Sequence, residues 1–176
     1  MDRLSSGCSA AAWEIGHNDC DLLIDNPSPL QFYDAIENAI SNNPHGYCVD
    51  CGYKPDDYEK MQLRILGQGF AGMAVDGDTI AVLFKNPTLQ PENFSGSVAD
   101  ILIPLAIQLG GVKLDCFDGV LPELYKHYGF VEIHREPFDD AFAPKDWDYV
   151  KYGHPDVVYM QWFDEVSANN DLCLMV

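Results

Sequence analysis

Residues 111–130 leave this chain few ways to fold. A glycine pair, Gly110-Gly111, precedes a compact apolar run of Val112, Leu114, Cys116 and Phe117, which reads as a short strand. Asp118 stands where a cap would start a helix, and Leu121, Leu124, Tyr125 and Tyr128 then recur at helical spacing. Gly129 supplies the stop and Phe130 opens a second strand. The unit is therefore strand, turn, helix, strand.

The flanking sequence extends that unit into an α+β domain. Ser28, Pro29 and Gln31 form a capping-box pattern, and Leu30, Tyr33, Ile36 and Ile40 share one face of the helix that follows until Asn42-Asn43-Pro44. Residues 46–50 read as a strand and residues 55–61 as a short acidic helix or turn. Two apolar runs, 69–75 and 79–84, are separated by Asp76-Gly77-Asp78, a strong hairpin sign. From Ser97 to Leu109 a helix is predicted with apolar residues on more than one side, and Pro104 within it predicts a kink or an irregular first turn. After the 111–130 unit come a strand at 130–135, an acidic loop over 136–154 and a last strand at 157–163. The expected division is an N-terminal extension over 1–27, one domain over 28–163 and a tail over 164–176.

Composition narrows the function classes. The 176 residues with 47% hydrophobic content suit one globular core. No run approaches the ~20 apolar residues of a membrane span, and no apolar stretch follows the first residues as in a signal peptide, so a cytoplasmic protein is expected. Twenty-eight acidic against ten basic residues give a formal charge of −18, which repels nucleic-acid backbones and anionic membranes. That charge either keeps the protein dispersed or suits a cationic partner. The six cysteines are irregularly spaced and read as free thiols.

The order of elements from residue 28 to 163, with the Leu-Tyr-Lys-His-Tyr-Gly-Phe run at 124–130, resembles the GCN5-related N-acetyltransferase (GNAT) superfamily. The run from Leu114 to Met160 is similar to small GNAT-like proteins of bacteriophages and mobile elements. The resemblance implies a GNAT-like mixed central sheet flanked by helices, acetyl-CoA as the acyl donor and an amine as acceptor. It places the cofactor beside the strand ending at Phe84 and its pyrophosphate on the helix start at Ser95, Gly96, Ser97, Val98 and Ala99, where unpaired N–H groups meet an anion. In this chain Asn93-Phe94-Ser95-Gly96-Ser97-Val98-Ala99 keeps one glycine of the family's loop but lacks its first basic or amide residue and its second glycine in register. Tyr125 matches the family's tyrosine, a phenol of pKa about 10 able to protonate the departing thiolate; it also continues the apolar face of its helix.

Other readings stay open at this point. Asp115, Asp118, Glu132 and His134 are candidate general bases by sequence neighbourhood, with Asp118 also a helix cap. His17 and Cys20, with Cys48 and Cys51, could supply one nitrogen and three sulfurs to a structural zinc, while Tyr47-Cys48-Val49 equally suits a buried strand. The loop over 136–154 mixes rings with carboxylates and suits a cationic amine or peptide. The alternative function is a non-catalytic acidic module that binds a basic partner protein.

Overall fold

The capping box at Ser28 forms: the Gln31 amide donates to Ser28 Oγ at 3.3 Å and the Ser28 amide to Gln31 Oε1 at 2.9 Å, starting helix α1 (Pro29–Asn42). The computed structural model describes residues 24–43, 45, 52–144 and 147–164. The strand expected at 46–50 and the proposed zinc ligands His17, Cys20, Cys48 and Cys51 lie outside the described residues. Among the described residues no group of three or more His, Cys, Asp or Glu is placed to hold a metal. Nor is any described helix long and apolar enough to cross a membrane.

Seven strands form one mixed sheet: β1 (Ile24–Asp25), β2 (Gln62–Leu66), β3 (Ala71–Asp76), β4 (Thr79–Lys85), β5 (Lys113–Phe117), β6 (Phe130–Glu136) and β7 (Val157–Trp162). Their spatial order is β1-β2-β3-β4-β5-β7-β6. All neighbours are antiparallel except β4 and β5, which are parallel. Strand β2 was not expected; its five residues, Gln-Leu-Arg-Ile-Leu, carry a weak signal and gain their conformation from pairing with β3. The hairpin at Asp76-Gly77-Asp78 does form, with Asp76 opposite Thr79 and Gly77 at φ 58°, a turn conformation that favours glycine.

The two faces of the sheet are covered by different helices. On one face Phe32, Ile36 and Ala39 of α1, with Tyr58 from the 3-10 turn Pro55–Lys60, pack on Leu63, Ile65, Ala74, Val82 and Phe84. On the other, helices α2 (Val98–Gln108) and α3 (Val120–His127) pack Leu102, Ile103, Ala106 and Tyr125 onto Met73, Val75, Ile80, Leu114, Cys116 and Met160. Each fully buried aliphatic side chain there contributes about 1.5–3 kcal/mol. Pro104 does not disturb the start of α2: the helix is continuous from Val98 and the proline lies on its exposed side. Its ring leaves the Asp100 carbonyl without the usual donor four residues on.

Strand β4 carries one extra residue. Val75 pairs with Ile80 but Ala74 with Val82, so Ala81 is inserted as a bulge. Ile80 and Leu83 therefore face α2, while Ala81, Val82 and Phe84 face α1. Strand β5 joins β4 only at its beginning, where Thr79 pairs with Lys113 and the Val112 and Lys113 amides both donate to the Asp78 carbonyl at 2.8 and 2.9 Å. Gly111 makes this approach feasible: a Cβ there would lie 2.8 Å from Ile80 Cγ1 and 3.1 Å from the Ala106 carbonyl. Beyond that rung the two strands part.

Candidate active site

A cavity of about 970 Å³ occupies the gap between β4 and β5. Its walls come from both faces of the sheet. Leu121, Leu124 and Tyr125 of α3 close it on one side; Tyr53, Asp115, Glu136 and Tyr159 line it on the other. Alternation along β5 explains the division, since Leu114 and Cys116 point to the helical core and Asp115 and Phe117 away from it. The cavity is therefore lined from both faces of the sheet.

Tyr125 lies at the inner wall. It is 8% exposed, its ring meets Phe130 edge-on with centroids 5.9 Å apart, and it borders the cavity. Packing and access to the gap coexist in this side chain. Cys116 borders the same wall, but burial and the nearby Asp115 carboxylate push its thiol up to about 12, so it stays an unreactive thiol. Phe84 also lines the cavity, with a ring that is 1% exposed and packed edge-on against Phe32.

The remaining expected cofactor residues sit at the start of α2, outside the cavity wall. Ser97 caps the helix by accepting from the Ala99 amide at 3.2 Å. The amides of Ser95, Gly96, Ser97 and Val98 find no acceptor among the described residues, and a Cβ on Gly96 would meet nothing closer than the Phe94 ring at 3.6 Å. The loop leading there is pinned by fully buried Asn86, whose Nδ2 donates to Asn38 Oδ1 at 2.6 Å and whose Oδ1 accepts from Thr88 Oγ1 at 2.7 Å. Lys85 completes the surroundings. Its ammonium lies 5.5 Å from the centre of the Phe70 ring, which itself packs 5.1 Å from Phe94. Free N–H groups, a helix N-terminus and this lysine fit an anion such as a cofactor phosphate. Against it stand Asp100 in the first helical turn, hydrogen-bonded by Tyr128, and the lack of any Lys or Arg between Lys85 and Lys113.

The four base candidates separate cleanly. Asp118 is not the cap of α3; that position is Gly119, at φ 133°, which makes no side-chain bond. The Asp118 carboxylate instead accepts from Arg135, whose guanidinium also binds Glu132 through two bonds of 2.9 and 3.0 Å and reaches Asp156. Arg135 holds the Asp118 and Glu132 carboxyls below their ordinary ranges. His134 pairs with Glu136 at 3.2 Å. Asp115 alone both borders the cavity and receives no bond from another described side chain. It is open to solvent, yet the cleft walls around it desolvate the carboxyl and push it up.

The described residues of 136–154 form an aromatic unit rather than a plain loop. It contains a 3-10 turn, Asp140–Phe142, and helix α4 (Tyr149–Tyr152). Trp147 is buried, donates from Nε1 to the Gly153 carbonyl at 3.0 Å, and packs with Phe138 against Phe117 at the end of β5. This anchors Phe138, Asp139 and Phe142 at the rim of the cavity. Sequence reasoning missed Lys85, Tyr159 and Glu136; for Lys85 its place next to the break at Asn86-Pro87 was the available signal.

No family model matches the chain, and a search of curated proteins finds no match. Among solved structures, similar chains include one described as a phosphinothricin N-acetyltransferase, with TM-score 0.54 and 16% identity over 81% of this chain and 98% of its own. A GCN5-related N-acetyltransferase from Rhodopseudomonas palustris gives TM-score 0.48 and 16% identity over 84% and 99% of the two chains. An IAA acetyltransferase from Bacillus cereus gives 0.44 and 13% over 81% and 99%.

Proposed function

We propose, from the GNAT fold that this chain has, that it is an acyltransferase that moves an acetyl group from acetyl-CoA to an amine. The observation that carries this reading is the cavity lined from both faces of the sheet where β4 and β5 part. Two reactants can enter such a gap from opposite faces and meet inside it, and alignment of that kind supplies about 7–11 kcal/mol toward a bimolecular barrier.

Acetyl-CoA would supply the activated thioester. The amides of residues 95–98 and the Lys85 ammonium would hold its phosphates, and the open edge of β4 beyond Thr79 offers main-chain groups to its arm. Tyr125, at the α3 wall, would donate its phenolic proton to the leaving sulfur. Calorimetric titration with acetyl-CoA tests this: saturable binding is expected, and no binding at millimolar cofactor would overturn it.

A second reading is favoured by one observation, the absence of Lys and Arg from 86–112 in a chain of charge −18. It takes the protein as an acidic, non-catalytic module for a basic partner. It requires salt-sensitive association with a basic protein and no acetyl-CoA binding.

A further inference from the structure

We infer that Asp115 is the base of this cleft and that the acceptor is a small primary amine on an apolar or aromatic body, arriving as an ammonium ion. The inference rests on the acyl-transfer reading and deepens it. Asp115 stands on β5 just past the rung that joins it to β4, directly opposite Tyr159 in the ladder with β7. Both side chains alternate with neighbours that face the α2–α3 core and so point to the opposite face of the sheet, and both border the cavity. The competing carboxylates Asp118 and Glu132 are held by Arg135, and His134 is held by Glu136. Asp115 keeps its acceptor capacity for a ligand.

The walls specify what that ligand is. Tyr53, Tyr159, Phe138 and Phe142 line the cavity with Glu136 and Asp139, whose carboxylates are engaged by His134 and Tyr159 and by the Ala141 amide respectively. Glu136 Oε2 accepts from the Tyr159 hydroxyl at 3.1 Å, which fixes that ring beside Asp115. Lys85, which also lines the cavity, has its ammonium over the Phe70 ring, toward α2. Ring faces and carboxylates around an apolar space favour a cation on an apolar body and oppose an anionic acceptor. Desolvation raises the Asp115 carboxyl, and desolvation and the Glu136 hydrogen bond raise the Tyr159 phenol, with the Asp115 charge adding the smallest share. A raised carboxyl is a better proton acceptor for an ammonium than one in open water.

The protons balance. Asp115 takes one proton from the ammonium, and the freed nitrogen pair forms the C–N bond to the thioester carbonyl carbon as the C–S bond breaks. The nitrogen sheds its second proton as the amide forms, restoring the Tyr125 phenol that has protonated the sulfur. The proton on Asp115 passes to solvent, so the net change is release of one proton.

The test uses full-length protein with 13C-labelled aspartate carboxyls, the Asp115 signal being assigned with the Asp115→Asn variant. Phenethylamine and phenylacetate carry one body with opposite charges. Phenethylamine is expected to shift the Asp115 signal saturably and lower its titration midpoint; phenylacetate is expected to do neither. With acetyl-CoA present, amine-dependent thiol release should fall at least about a hundredfold in Asp115→Asn and should rise about tenfold per pH unit toward the amine's own pKa, while the wild type levels off. Acetyl-CoA affinity should be unchanged in the variant. A wild-type rate and pH profile in Asp115→Asn, equal binding of phenylacetate, or an Asp115 signal that ignores the amine would each overturn the inference. Acetyl-CoA that fails to bind wild-type protein overturns the acyl-transfer reading instead.

Discussion

Thr79 and Lys113 form the one register pair between β4 and β5 among the described residues, and the strands part directly after it. The gap is possible because Gly111 lets β5 come in under Ile80 with no side chain of its own. Gly111→Ala places a methyl 2.8 Å from Ile80 Cγ1 and 3.2 Å from Val75 Cγ2. We expect a loss of about 1–3 kcal/mol in urea unfolding, with acetyl-CoA affinity falling as the rung shifts.

Gly96→Trp tests the anion site without touching the core. The position is exposed and a Cβ there meets only the Phe94 ring at 3.6 Å. The melting temperature should hold while acetyl-CoA affinity drops at least about tenfold, or about 1.4 kcal/mol. An unchanged affinity by calorimetry would place the phosphates elsewhere.

Tyr125→Phe keeps the ring that packs on Phe130 and removes only the hydroxyl. Turnover should fall about 10²–10⁴-fold with donor affinity and melting temperature little altered. Equal losses in Tyr125→Phe and Tyr125→Leu, tracked by a falling melting temperature, would mark the residue as packing alone.

Acid stability should depend on Arg135. It depresses the folded-state carboxyls of Asp118 and Glu132 below their ordinary 3.8 and 4.5. A carboxyl lowered on folding stabilises the fold above its unfolded pKa, and that contribution disappears as pH falls through the folded value. Melting temperature should thus decline below about pH 4.5 in the wild type and with a shallower slope in Arg135→Ala; parallel slopes would count against the cluster. Asp118, Glu132 and Asp156 tie the α3 entry, β6 and the β7 entry to one guanidinium.

Asn86→Ala should cost about 1–3 kcal/mol, because Asn38 Oδ1 and the Thr88 donors lose a buried partner. Denaturant midpoints of Asn86→Ala and of the Asn86→Ala/Asn38→Ala pair check it: a double variant no worse than the single one is expected if the amides act as a unit.

Strong local patterns carried the fold. The box at Ser28, the turn at Gly77 and the helix at 120–127 with its Gly129 stop each bring their own hydrogen-bond chemistry, and each forms where the sequence placed it. Strand β2 was not legible because its conformation comes from β3, not from its own five residues. Asp118 looked like a cap because it precedes a helix, but Arg135, seventeen residues away, offers its carboxylate a better partner. The cavity was the least legible feature. It depends on where β5 stops pairing with β4, a fact set by Gly111, the Ala81 bulge and the packing of α2, with no local sequence mark.

A sheet joined by a single rung behaves as two plates sharing one seam. The β1–β4 plate and the β5–β7–β6 plate are kept together past that seam by Ile80, Ala106, Leu114 and their neighbours rather than by ladder bonds. The width of the gap is therefore a packing variable. Adding or removing a methyl beneath the sheet, far from any reacting atom, retunes which molecules fit between the plates.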